Sequence, residues 1–178
     1  MLSKSVSRLA LLGSALLAAT MSYAQAPAPA PNPLDTVPDK IPFDIPYGAP
    51  IGLDRAQALI AATVAEAKKH DWKFCVAVVD SGGNMVAFQR MDGAQLASIQ
   101  ISEHKARFSA TYRRESKVYE NGLQLNNLIY LMTLDGSIAS RGGIPLVEGG
   151  KLIGAIGCSG GTGSQDEVAC KAGAAMIK

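Results

Sequence analysis

The sequence predicts one α+β domain in which helices cover an antiparallel sheet. Three observations lead there. From Ile51 to the end of the chain, segments with helical spacing of apolar residues alternate with short runs rich in β-formers. Two pairs of those runs are joined by turn chemistry, Asp80-Ser81-Gly82-Gly83-Asn84 and Gly149-Gly150, as in hairpins. The roughly 130 residues from Ile51 onward suffice for one hydrophobic core and are too few for two domains. Helices packed on a sheet are the natural layer solution for this pattern.

The elements follow in order. Asp54 is placed to cap a helix, with Gln57 three residues on completing a box-like arrangement. Ala56, Leu59, Ile60, Thr63, Val64 and Ala67 then repeat at helical spacing, which carries the helix to about Lys69. Lys68, Lys69 and His70 suit its C-terminal dipole. Phe74 to Val79 is a continuous apolar run, read as an interior strand, and Met85 to Arg90 returns beside it. A second helix is expected from about Ala94 to Tyr112. Within it, Ala97, Ile101, His104 and Phe108 are spaced by four, three and four, which places His104 on the apolar stripe. The segment from Glu115 to Leu134 is ambiguous, with Asn121-Gly122 breaking it. Ile144 to Glu148 and Lys151 to Gly157 form the second hairpin. Ser164-x-x-Glu167 signals the cap of a last helix that reaches Met176.

Ahead of the domain, residues 1–24 read as a secretory signal. Lys4 and Arg8 precede an apolar stretch from Leu9 to Ala19, and small-x-small sites follow at Ser22-Tyr23-Ala24 and Ala24-Gln25-Ala26. The apolar stretch is about half the ~20 residues that span a bilayer, so cleavage is expected rather than anchoring. Residues 25–50 hold every proline of the chain except Pro145 and read as an extended linker. The expected product is a periplasmic or secreted domain, 51–178.

Charge excludes one class of partner. The chain carries 17 Lys+Arg against 15 Asp+Glu, and loss of Lys4 and Arg8 leaves 15 against 15. A neutral domain has no electrostatic footprint for nucleic acid or for an anionic membrane. The local basic run Arg107, Arg113, Arg114, Lys117 reads as a solvated helix end. Cys75 lies inside the first strand as a small hydrophobe. Cys158 and Cys170 flank a glycine-rich turn and are able to pair in an oxidising compartment, although sequence does not supply the geometry. Gly-x-Ser-x-Gly and His-Glu-x-x-His are both missing, and two histidines leave little room for hydrolytic chemistry.

Two features can carry chemistry. The first is the loop from Ser159 to Asp166. A glycine-rich turn between strand and helix exposes backbone N–H groups where an anion can be held, though a tight turn plus a helix cap explains the same residues. The second is His104 with Lys105 and Arg107. A histidine on an apolar helix face is ordinarily a core or interface residue. The sharper reading is a haem iron ligand, with apolar walls for the porphyrin and Lys105 and Arg107 for the propionates. His70 sits at an exposed helix end beside Asp71 and Trp72, and is a poorer candidate. Met85, Met91 and Met132 can also reach iron, but buried methionine is usually packing. Without Cys-x-x-Cys-His, covalent c-type attachment is excluded.

Phe74-Cys-Val-Ala-Val-Val-Asp80-Ser-Gly-Gly-Asn-Met-Val-Ala-Phe-Gln-Arg90-Met-Asp-Gly-Ala94, Lys105-Ala106, Gly142-Gly-Ile-Pro-Leu146, and Gly154-Ala-Ile-Gly-Cys-Ser-Gly-Gly161 with Gln165-Asp166-Glu167 occur in that order. Together they resemble the GlcG/HbpS family of haem-binding or haem-degrading proteins, which is related to the C-terminal domain of PduO-type proteins. The likeness covers Ile51 to Lys178. It implies a profilin-like α+β domain with a five-stranded antiparallel sheet, a homo-oligomer, and haem as the cofactor of some exported members, with roles in haem or iron handling or redox sensing. It also implies that Ser159, Gly160, Gly161, Gln165 and Asp166 line a ligand pocket near an adjoining subunit. Three readings follow. The chain is an exported haem-binding protein, or a small-molecule enzyme or accessory catabolic subunit working at the 159–166 loop, or a ligand-free oligomeric scaffold.

Overall fold

The computed structural model describes residues 30–178. The expected signal at residues 1–24 lies outside them, as do residues 25–29 of the linker. The described residues fall into two units, 30–39 and 40–178. In the first, the described residues hold one short 3-10 turn, Pro33–Asp35. The second starts before Ile51, so residues 40–50 of the expected linker belong to the compact domain. Their anchors are specific. The Tyr47 hydroxyl donates to the Thr111 carbonyl at 3.0 Å, and Arg113 donates to the Ile45 carbonyl at 3.0 Å.

The domain contains helices α1 (Leu53–Lys69), α2 (Ala97–Thr111), α3 (Lys117–Asn126) and α4 (Gly163–Ala174). Its strands are β1 (Cys75–Asp80), β2 (Met85–Arg90), β3 (Gly143–Glu148) and β4 (Lys151–Ser159). The strands form one antiparallel sheet in the order β2-β1-β4-β3. It has four strands, not the expected five. Residues between α3 and β3 form a 3-10 segment, Ile129–Thr133, and turns instead of a strand. On the other side of β4, β1 stops opposite Gly154. There residues 46–51 take over the hydrogen bonding. Gly48 and Ile51 donate to the carbonyls of Leu152 and Ile153, and Leu152 donates to that of Pro46.

Why β1 reads as an unbroken apolar run is now plain: both sheet faces are covered. Val76 and Val78 point to a core shared with Leu59, Ile60 and Val64 of α1, Ile156 of β4 and Ala169 of α4. Ala77 and Val79 point the other way, to Ala106 and Ala110 of α2 and to Ala155. Alternation along a strand distributes the side chains in this manner. Full burial of a Leu or Ile side chain such as Leu59 or Ile156 contributes about 1.5–3 kcal/mol.

Several local expectations shift. α1 begins after Gly52 without a side-chain cap, and Asp54 sits in its first turn. The capping box of α4 is Thr162 with Gln165, two residues earlier than Ser164 with Glu167. α3 runs through Gly122, where a Cβ would lie 2.7 Å from the Leu131 side chain. That glycine permits close approach of the 3-10 segment and does not end the helix.

The buried face of α2 is the main correction. It consists of Ser98, Ser102, Lys105, Ala106, Phe108, Ser109 and Ala110, while His104 is exposed. Of the stripe expected through His104, Phe108 is buried and Ile101 half-buried, while Ala97 and His104 are turned outward. The cause is backbone contact. A Cβ on Gly157 would fall 2.1 Å from the Ser102 carbonyl oxygen, and one on Gly143 would fall 2.4 Å from that of Lys105. α2 therefore lies directly on the glycines of β3 and β4, and only small side chains or a thin methylene stem fit beneath it.

Candidate functional site

The 159–166 loop and α2 meet at a buried ion pair. Lys105 Nζ lies 2.6 Å from Asp166 Oδ2, and the two side chains retain 1% and 4% of their surface. The ammonium also donates to the Cys158 carbonyl at 3.1 Å. The second Asp166 oxygen accepts the Gly161 N–H at 3.0 Å. Burial pushes the Asp166 carboxyl above its ordinary range, and Lys105 with the loop N–H groups partly opposes that shift. Gly142 leaves room for the pair, since a Cβ there would sit 2.7 Å from Asp166 Cβ and 3.2 Å from Lys105 Nζ. At positive φ (111°), it also suits a residue without a side chain.

The same loop is closed by its own groups. Gly161 N–H is held by Asp166, and Thr162 N–H donates to Gln165 Oε1 at 2.8 Å. Ser159 Oγ donates to Ser98 Oγ at 3.0 Å inside the core. Gly160 approaches the Lys73 carbonyl so closely that a Cβ would stand 2.1 Å from it. Two amides that an anion would need are thus already engaged. Cys158 and Cys170 are joined as a disulfide, with Cα atoms 5.7 Å apart, which ties the end of β4 to α4 around this loop. The arrangement is a lock between sheet, α2 and α4.

Beside it runs an ionic network. Glu167 Oε1 meets Lys171 at 2.6 Å and Lys117 at 3.1 Å, and Glu167 Oε2 lies 3.5 Å from Arg141. Arg141 in turn reaches Glu120 at 2.7 Å. Burial alone would raise the Glu167 carboxyl, but Lys171 and Lys117 outweigh it and hold the group below the usual glutamate range. The basic run 107–117 does not act as one patch. Arg113 and Lys117 bind separate partners, and Arg114 lies over the Phe43 ring, 3.4 Å from its centroid.

His104 and Lys105 therefore part company. Successive helix residues are about 100° apart. Lys105 points into the core, so it is not available to a propionate, contrary to the sequence expectation. His104 faces outward with Ala97, Gln100 and Arg107, and Ile101 is half-buried beside them. Arg107 Nε donates to the Gly83 carbonyl at 3.4 Å, which holds that side chain toward the β1–β2 turn. The structure brings Lys105 together with Ser159, Gly160, Gly161, Gln165 and Asp166, and leaves His104 and Arg107 on the opposite side of α2. Sequence reading missed the roles of Ser98, Arg141 and Gly142. The spacing of Ser98, Ser102, Lys105 and Ser109, by four, three and four, was the available signal for the first.

The family model described as haem degrading protein HbpS-like matches residues 51–175. Protein GlcG of Escherichia coli (strain K12) is 42% identical over 104 residues, covering 58% of this chain and 77% of GlcG. The crystal structure of a double mutant of HbpS from Streptomyces reticuli superposes with a TM-score of 0.68 at 27% identity, covering 85% of this chain and 99% of that one. A PduOC–haem complex matches at 23% identity with a TM-score of 0.66, covering 73% and 96%, and shows the shared fold.

Proposed function

We propose that this chain, which belongs to the HbpS-like family of haem degrading proteins, is an exported haem-binding module with His104 as its iron ligand. The observation that carries the assignment is the outward exposure of the His104 imidazole, with Arg107 one turn along and Ile101 beside it. Imidazole nitrogen ligates haem iron, and a guanidinium suits a propionate carboxylate. A relative in the same fold is described as a haem complex, which supports the choice of ligand. When bound, haem would supply the iron chemistry. The residues of this chain bind and orient it. The disulfide supports export, because such bonds persist in oxidising compartments.

Haem titration of the chain from Gln25 onward, followed by absorbance, tests this reading. The expected result is saturable, near-stoichiometric binding with a sharp Soret shift. His104→Ala should lose the shift and weaken binding by at least about tenfold, the equivalent of ~1.4 kcal/mol. Equal binding by the variant would remove His104 from the site, and a spectrum of free haem alone would remove haem.

Self-association belongs to the same proposal. Val118, Leu125, Ile129, Tyr130 and Met132 expose large apolar side chains along α3 and the segment after it, with Leu125 keeping 75% of its surface. Apolar patches of this kind mark interaction surfaces. Replacing Leu125 and Ile129 by glutamate should convert an oligomer to a monomer by light scattering without unfolding it. An unchanged mass would place the interface elsewhere.

A further inference from the structure

Across the sheet from α2, helix α1 and the edge strand β2 frame a cleft of about 480 Å³. That volume lies within the range of small-molecule sites. Val64 and Met91 supply apolar lining, and three cations converge from three parts of the chain: Lys68 of α1, Lys73 of the following loop, and Arg90 at the end of β2. Part of that charge is already matched. Lys73 pairs with Asp71, and Asp92 adds one carboxylate to the lining. Lys68 and Arg90 have no carboxylate within 4.0 Å among the described residues. Two unmatched cations, fixed on a helix and on a strand, thus share a concave surface with apolar side chains and the Gln89 amide.

We propose that this cleft binds a small aliphatic dicarboxylate. The Arg90 guanidinium offers a planar fork that matches one carboxylate in two parallel hydrogen bonds. Lys68 takes the other as a point charge. Val64 and Met91 contact the carbon chain between them, and Gln89 can donate to or accept from a substituent on it. A monocarboxylate would leave one cation unmatched, and inorganic phosphate would leave the apolar lining uncovered. The site does not rest on the haem reading, because α1 packs on the sheet face opposite α2.

The single tryptophan gives a built-in reporter. Trp72 adjoins Lys73 and stacks on His70 with ring centroids 4.3 Å apart. The experiment titrates the chain from Gln25 onward with succinate, acetate and inorganic phosphate, read by calorimetry and Trp72 emission. Succinate should bind saturably, and acetate and phosphate on the order of tenfold more weakly. Arg90→Gln and Lys68→Gln should each weaken succinate by about tenfold or more, as loss of a charged hydrogen bond does. Both side chains are exposed, so melting temperatures should match the parent. Haem binding should persist in both variants, which separates this proposal from the one above. The proposal is overturned by no saturable succinate signal, by unchanged succinate affinity in both variants, or by phosphate binding more tightly than succinate. Loss of haem binding in Arg90→Gln would also overturn it, by assigning the cleft to haem.

Discussion

Asp166→Ala, with Lys105 left in place, destabilises the domain by about 3–5 kcal/mol in urea unfolding, the range for removing one partner of a buried ion pair. The size follows from burial. Lys105 Nζ would keep the Cys158 carbonyl as its hydrogen-bond acceptor but lose the carboxylate at 2.6 Å. An uncompensated charge would remain beneath α2, and Gly161 would lose its acceptor as well. The double variant Lys105→Met with Asp166→Leu should recover most of the loss, since apolar residues of similar volume replace buried pairs at little cost. A dependence on pH follows too. The Asp166 carboxyl lies above its ordinary range because of burial. The folded state therefore holds more protons than the unfolded one just above the ordinary aspartate value. Stability should fall as pH rises from there through the raised value, and Asp166→Asn should remove that slope. A loss below about 1 kcal/mol in Asp166→Ala would mean that the pair is solvated and that the lock is not closed.

The second large effect is loss of the disulfide. Replacing Cys158 and Cys170 together by alanine should cost about 3 kcal/mol, the chain-entropy value for a short loop. The bonded residues are 12 apart in sequence, and the segment between them contains the whole Ser159–Asp166 loop. For a domain of this size the melting temperature should drop by roughly 10 °C, and a reductant should lower the parent by a similar amount. Cys75 is buried and stays a thiol, so it supplies an internal control for reactivity. Equal melting temperatures with and without the bond would show that the loop is held by Lys105, Asp166 and the helix cap alone.

What was legible in the sequence was what local pattern decides. The period of α1 from Ala56 to Ala67 matches its buried face, and Asp80 through Asn84 forms the turn between β1 and β2. The family and the α+β sheet were legible from ordered motifs. The rotation of α2 was not. Its stripe of Ile101, His104 and Phe108 looked apolar, yet only Phe108 of the three is fully buried, and the buried face runs through Ser98, Ser102 and Lys105. What decides between them is the absence of side chains on Gly143 and Gly157, which lie far along the chain from α2. Lys105 and Asp166 were each singled out, but separately. Their pairing depends on β4 packing beneath α2 and carrying the start of α4 to Lys105, which local spacing does not encode. The fifth strand failed for a related reason, since residues 46–51 satisfy the exposed end of β4 from within a segment whose prolines read as linker.

The most direct test of the central claim is a crystal structure of the chain with haem. The account predicts iron bonded to the His104 imidazole on the outward face of α2, Arg107 near a propionate, and the Lys105–Asp166 pair undisturbed. Haem seated with its iron on any other group, or inserted at the 159–166 loop with that pair broken, would contradict it.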